Sequence, residues 1–117
     1  MKRLIAAWHN SMKGLKHLAR HEAAIRLELV LLVLSVPAAL LLTREITGLM
    51  LLIGAVVFLL LVEVLNSAIE AVCDAVTLEH NPHIAIAKDA GSLAVLLASA
   101  MCAAIWLHAV WKLPLGA

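Results

Sequence analysis

Charge is scarce in this chain of 117 residues. Only 15% of its residues are Asp, Glu, Lys or Arg, 64% are hydrophobic, and the mean hydropathy is +1.02. That balance excludes a soluble domain of this size and leaves one small, all-helical domain of an integral membrane protein. A net charge of +1 excludes a global attraction to nucleic acid. Cysteine is nearly missing as well. Cys73 and Cys102 lie in apolar helical stretches and read as buried small hydrophobes rather than as a disulfide or ligands. Neither a Walker A motif nor G-x-G-x-x-G occurs, so any nucleotide needs a site of another kind. No secretory signal with a cleavage site is expected, because the first long apolar run begins after residue 26.

What is present is three apolar runs of membrane length. Leu27 to Thr43 holds Glu28 near its start and Pro37 in its middle. Ile46 to Val62 follows, and Ser92 to Val110 is the third. At ~1.5 Å per residue each measures about 26–28 Å, close to the hydrocarbon thickness. Pro37 predicts a local bend. Only Arg44 and Glu45 separate the first two runs, which predicts an antiparallel hairpin. The segment Thr77 to Ala87, with Asn81-Pro82, is the one real loop expected.

Orientation follows from the basic residues. Lys2, Arg3, Lys13, Lys16, Arg20, Arg26 and Lys88 fall on one side of the membrane, and Arg44 and Lys112 on the other. This asymmetry predicts a cytoplasmic N-terminus and Thr77–Ala87 loop, with the C-terminus outside. Residues 2–20 form a separate element. Leu4, Ile5, Trp8, Met12, Leu15, Leu18 and Ala19 share one helical face, and Lys2, His9, Lys13, Lys16 and Arg20 the opposite one. A helix lying in the interface, basic face towards lipid phosphates and water, has this pattern. An amphipathic helix packed on the bundle is the plainer alternative.

The second apolar run leads into a polar stripe. Glu63, Asn66, Ser67, Glu70 and Asp74 stand at i, i+3, i+4, i+7 and i+11, within roughly 100° of one helix face. A carboxylate in or near lipid costs about 2.5–3.5 kcal/mol. Three on one stripe must therefore face protein, water or a cation. Other polar residues can converge on the same membrane side. Glu22, Arg26 and Glu28 lie where the surface helix meets the first span, Glu79 is in the loop, and Lys88, Asp89 and Ser92 open the third helix. Lys88, Ser92, Ser99 and Trp106 share a face and carry a polar track into that helix.

Carboxylates, an Asn and a Lys at a membrane surface suit phosphoryl transfer with a divalent cation. Mg²⁺ takes a few carboxylates together with phosphate oxygens and water. Such catalysis is positioning and charge neutralisation, with one carboxylate taking the attacking hydroxyl's proton. A charge-paired bundle, a pore-forming protein, or a small oligomeric transporter using Glu63 and Glu70 for proton coupling is the competing reading.

The run Glu63-Val64-Leu65-Asn66-Ser67-Ala68-Ile69-Glu70-Ala71-Val72-Cys73-Asp74 resembles the signature of the prokaryotic diacylglycerol kinase family. Ala87-Lys88-Asp89-Ala90-Gly91-Ser92 resembles that family's second block. Ser11-Met12-Lys13-Gly14-Leu15 and Glu22-Ala23-Ala24-Ile25-Arg26 are similar to its surface-helix and junction motifs. The resemblance covers nearly the whole chain. It implies a single membrane kinase domain over residues 1–117, with a surface helix at 2–21 and spans within helices 27–43, 46–76 and 84–111. It also implies a homotrimer with active sites shared between subunits in the bacterial inner membrane, with the active site on the cytoplasmic side. The reaction implied transfers the γ-phosphate of ATP, with Mg²⁺, to diacylglycerol, giving phosphatidic acid. Undecaprenol kinases belong to the same family and are the alternative; the Glu22–Arg26 junction favours the diacylglycerol branch.

Carried over residue by residue, the resemblance makes Glu63 the general base, beside the lipid hydroxyl, and Glu22 and Glu70 the metal ligands bridging the ATP phosphates. Lys88, Asp89, Arg3, Asn10 and Glu79 join Glu22 and Glu70 at the nucleotide. Arg3, Arg26, Ser92 and Trp106 border the lipid, and Asn66 and Asp74 support the site. Departures occur. Cys73 replaces an aliphatic residue, Met12 and Asn10 stand where aromatics are usual, and His80-Asn81-Pro82-His83 departs from the family's loop. His17 and His21, spaced i, i+4, and His80 and His83 have the makings of metal pairs. Interfacial and solvated histidines are the plainer reading of both. His108 is expected at the headgroups with Trp111.

Overall fold

The computed structural model describes residues 1–113. Four helices follow one another: α1 Lys2–His21, α2 Ala23–Leu42, α3 Ile46–Val76 and α4 Pro82–Trp111. The last three are long and apolar enough to cross a membrane. α3 packs against both α2 and α4, and α1 leans on α2.

Each boundary has a local cause. α1 stops because Glu22 is extended, at φ −125° and ψ 119°. The carbonyls left open there accept from Arg26, whose guanidinium donates to Ala19 O at 2.9 Å and Arg20 O at 3.1 Å. Arg26 sits in the first turn of α2 and so clamps the elbow. The elbow is one residue long, and α2 therefore starts at Ala23, ahead of the apolar run at Leu27. At its other end Thr43 is extended and caps α2, and Thr43 Oγ1 accepts from Glu45 N–H at 3.2 Å. A Cβ on Gly48 would lie 2.8 Å from that hydroxyl, so glycine leaves room for the tight turn.

The loop before α4 is shorter than Thr77 to Ala87. Asn81 Oδ1 accepts from the backbone N–H groups of His83 at 2.9 Å and Ile84 at 3.3 Å, and Pro82 occupies the first helical position. An Asn cap followed by Pro starts a helix efficiently. α4 consequently begins at Pro82 rather than at residue 84. Pro37 lies inside α2, where it withholds a donor from Val33 O; nearby, Ser35 Oγ donates back to Leu32 O at 2.6 Å.

The core is thin and made mainly of small residues. Ala39, Ala55, Ala98, Gly91 and Cys73 are buried, with Ile25, Leu52 and Val56. Small side chains bring helix backbones close where lipid supplies no hydrophobic drive between helices. Large apolar residues such as Val33, Leu41, Met50, Val72 and Leu107 stay exposed on the single chain. Trp106 Nε1 donates to Leu52 O at 3.0 Å and ties α4 to α3 within the apolar half. At ~1.5 Å per residue the 31 residues of α3 reach about 46 Å. That exceeds a hydrocarbon core of ~30 Å, so its polar end extends past the lipid tails.

Candidate active site at the polar end of the bundle

The site is assembled from the α1–α2 elbow, the last turns of α3 and the first turns of α4. Because Glu22 is the lone extended residue of the elbow, its side chain turns towards α3, and its Oε2 accepts from Ser67 Oγ at 2.6 Å. Asn66 Nδ2 donates to Glu70 Oε1 at 3.2 Å, one helical turn on. Lys88 Nζ pairs with Asp74 Oδ1 at 2.8 Å and joins α4 to α3.

Asn66 explains the buried glycine of α4. The amide is 8% exposed, and a Cβ on Gly91 would collide with its Oδ1. Only glycine lets α4 approach the helix that carries the stripe. Asn66 Oδ1 is one of two buried side-chain polar atoms without a partner among the described residues; the other is Glu28 Oε2. Such groups are costly and point to functional sites.

The electrostatics are lopsided. Glu22 and Glu70 both lie within electrostatic reach of Glu63. The only ion pair among the described residues is Lys88–Asp74. Three carboxylates thus stand near one another with no ion pair to any of them among the described residues, which is the arrangement a bound divalent cation offsets. Glu22 and Glu70 also line one open cleft of about 570 Å³ between α1 and α3, with Lys13, His17, His21 and Asp74. Two carboxylates with room for phosphate oxygens and water fit Mg²⁺. Among the described residues no group of three or more His, Cys, Asp or Glu forms a metal cage.

The residues expected at the site separate into three sets. Glu22, Asn66, Glu70, Asp74 and Lys88 each take part in one of three separate side-chain hydrogen bonds, Glu22 with Ser67, Asn66 with Glu70 and Lys88 with Asp74, and Glu63 lies two turns before Glu70 on the same stripe. Arg3, Asn10, Glu79, Asp89 and Ser92 are exposed and line no part of the cleft. Arg26 is held in the elbow, and Trp106 is half-buried near the opposite end of the bundle, bonded to α3. Lys13, from the basic face of α1, lines the same open cleft as Glu22, Glu70 and Asp74. His17 and His21 stack with ring centroids 4.3 Å apart, and His21 Nδ1 donates to His17 O at 2.8 Å. Both cysteines are free. Sequence reasoning named Ser67 only as part of the stripe and passed over Gly91 and Glu28 as site residues. An uncompensated Glu inside an apolar run was the available signal for Glu28.

Fold and site together define a polytopic helical membrane protein with a carboxylate-rich centre at one end of its bundle. The family model for prokaryotic diacylglycerol kinase matches residues 9–110. The chain is 40% identical over 110 residues to the diacylglycerol kinase of Escherichia coli (strain K12), covering 94% of this chain and 90% of that protein. It is 39% identical over 106 residues to that of Pseudomonas aeruginosa, with 91% and 86% covered. With the diacylglycerol kinase of Haemophilus influenzae it shares 32% over 103 residues, with 88% and 87% covered. The chain belongs to the prokaryotic diacylglycerol kinase family.

Proposed function

We infer that this protein is a lipid kinase that phosphorylates diacylglycerol, with ATP as donor and Mg²⁺ as the required ion. The family membership supports the lipid kinase activity. The single structural observation that carries the chemistry is the proximity of Glu22, Glu63 and Glu70 with no ion pair to any of them among the described residues.

In this reading Glu63 accepts the proton of the lipid hydroxyl as its oxygen forms a bond to the γ-phosphorus. The bond from that phosphorus to the bridging oxygen breaks, and ADP departs with the electron pair. Phosphatidic acid is the lipid product. Glu22 and Glu70 would hold Mg²⁺, which would supply charge neutralisation at the phosphates of the donor. Ser67 fixes Glu22 and Asn66 fixes Glu70 through their hydrogen bonds, so both carboxylates are set before the nucleotide arrives. Lys88 and Asp89, with Arg3, Asn10 and Glu79, border the nucleotide, and the Asp74 pair steadies Lys88. Arg26, Arg3, Ser92 and Trp106 border the lipid.

The protein acts in a bacterial inner membrane, with N-terminus and site cytoplasmic and the C-terminus outside, as the Lys and Arg asymmetry supports. It works as a homotrimer with shared sites. The exposed apolar faces of α2, α3 and α4 leave ample surface for that assembly.

Phosphate transfer from γ-labelled ATP with Mg²⁺ to diacylglycerol or undecaprenol, beside Glu63→Gln, tests the reading. Label in phosphatidic acid that vanishes in the variant is expected. Label only in undecaprenyl phosphate would change the substrate and keep the chemistry. No transfer from folded protein would overturn the kinase reading. Mixed oligomers of Glu63→Gln and Glu70→Gln subunits should regain part of the activity; complete inactivity of verified mixed assemblies would sink the sharing of sites.

A further inference from the structure

Glu28 has no place in the mechanism above, yet it is among the most expensive residues in the molecule. It lies inside α2, 8% exposed, with Oε2 buried and without a partner. Arg26 is engaged with the carbonyls of Ala19 and Arg20, and Lys88 with Asp74, so neither pairs with Glu28. A buried carboxyl with an open oxygen is retained in a span only when something else comes to meet it.

Helix periodicity shows where it sits. Glu28, Leu31 and Ser35 share a face of α2 at i, i+3 and i+7. Glu63, Leu59 and Val56 share a face of α3 at i, i−4 and i−7. Leu31, Ser35, Leu59 and Val56, with Cys102 and Trp106 of α4, line an apolar crevice of about 270 Å³. Glu28 and Glu63 therefore stand about one helical turn beyond the lining residues Leu31 and Leu59, on the site side, and within electrostatic reach of each other. The Trp106 indole, bonded to Leu52 O, closes the far end. The surface lining the crevice is apolar, and the two carboxyl groups lie just beyond it.

We propose that Glu28 is a specificity-determining residue: its carboxyl hydrogen-bonds an ester carbonyl of the acceptor lipid while Glu63 engages the hydroxyl, so that the site selects a glyceride over a simple long-chain alcohol. This inference rests on the lipid kinase reading. A glyceride carries ester carbonyls close to its free hydroxyl, and a carboxyl group in its acid form offers an O–H that such a carbonyl accepts. An isoprenoid or alkyl alcohol carries only hydrocarbon beside its hydroxyl. It leaves Glu28 buried and unsatisfied, the penalty by which sites built to hydrogen-bond reject analogues that lack the group.

The test compares kcat/KM for a diacylglycerol and for the dialkyl ether glycerol of equal chain length, in mixed micelles with MgATP. Wild type should favour the ester by about tenfold or more, the worth of one buried hydrogen bond. Glu28→Leu should bring the ratio close to one, mainly through KM for the ester. Glu28→Gln retains an N–H donor and should keep most of the preference. An unchanged ratio in Glu28→Leu overturns the inference, as does equal collapse in both variants. Wild type that transfers to neither lipid overturns the kinase reading itself, whereas transfer without ester preference overturns Glu28 alone. A readout free of turnover uses diacylglycerol labelled with ¹³C in its carbonyls, bound without ATP. One carbonyl stretch should lie lower in wild type than in Glu28→Leu, and identical bands would reject the contact.

Discussion

The two halves of α3 are one continuous helix working in two solvents. From Ile46 to Val62 its buried residues are Leu52, Ala55 and Val56, and its cross-helix hydrogen bond is Trp106 to a backbone carbonyl. From Glu63 to Val76 its buried residues are Asn66, Ser67 and Cys73, and side chains reach Glu22 and Lys88 on other elements. The apolar half packs small residues to bring backbones together. The polar half uses hydrogen bonds and one ion pair to hold carboxylates that would otherwise repel. The comparison teaches that the bundle is a holder: its apolar half sets the spacing at which the polar half does chemistry.

The sharpest way to test that division is Glu63→Gln, at the boundary between the halves. Turnover should fall by at least the ~10²–10⁴ of a general base while ATP affinity and unfolding midpoint hold. Near-normal kcat would remove Glu63 from the base role. Next comes Glu70→Gln, which should raise the Mg²⁺ concentration for half-maximal rate by about ten- to hundredfold. An unmoved Mg²⁺ curve would take Glu70 off the metal.

Gly91→Leu attacks the seam between α3 and α4 at the polar half. Overpacking against Asn66 should cost on the order of 1–3 kcal/mol, read from denaturation in micelles. Full stability in that variant would mean the two helices do not approach as described. Trp106→Phe probes the other half. It leaves Leu52 O without its side-chain donor and should cost about 1 kcal/mol of stability. Loss of turnover as deep as in Glu63→Gln would erase the distinction between the halves. The smallest effect on stability belongs to Lys88→Met. Its pair with Asp74 is exposed and screened, so the unfolding midpoint should stay put while the apparent KM for ATP rises. A clear drop in midpoint would make the pair structural.

The amino-acid sequence alone determined the helical class, three apolar runs of membrane length and the polar stripe on one of them. These follow from composition and periodicity, because a 3.6-residue repeat maps sequence spacing directly onto a helix face. It also contained the signature that placed the chain in its family. Only the tertiary structure decided which residues meet. That Glu22 answers Ser67, that Asn66 dictates Gly91, and that Arg26 closes the end of α1 depend on how helices far apart in sequence are set against one another. The basic face of α1 shows the limit most clearly. Its amphipathic pattern fixed that Lys13 and Arg20 share a face, but a pattern cannot say what that face opposes. The one-residue elbow at Glu22 sets α1 beside α3, where Lys13 lines the cleft that Glu22, Glu70 and Asp74 also line. Glu28 carried only the sign of an unpaired charge in an apolar run; the packing of three helices decided that its oxygen is buried and open.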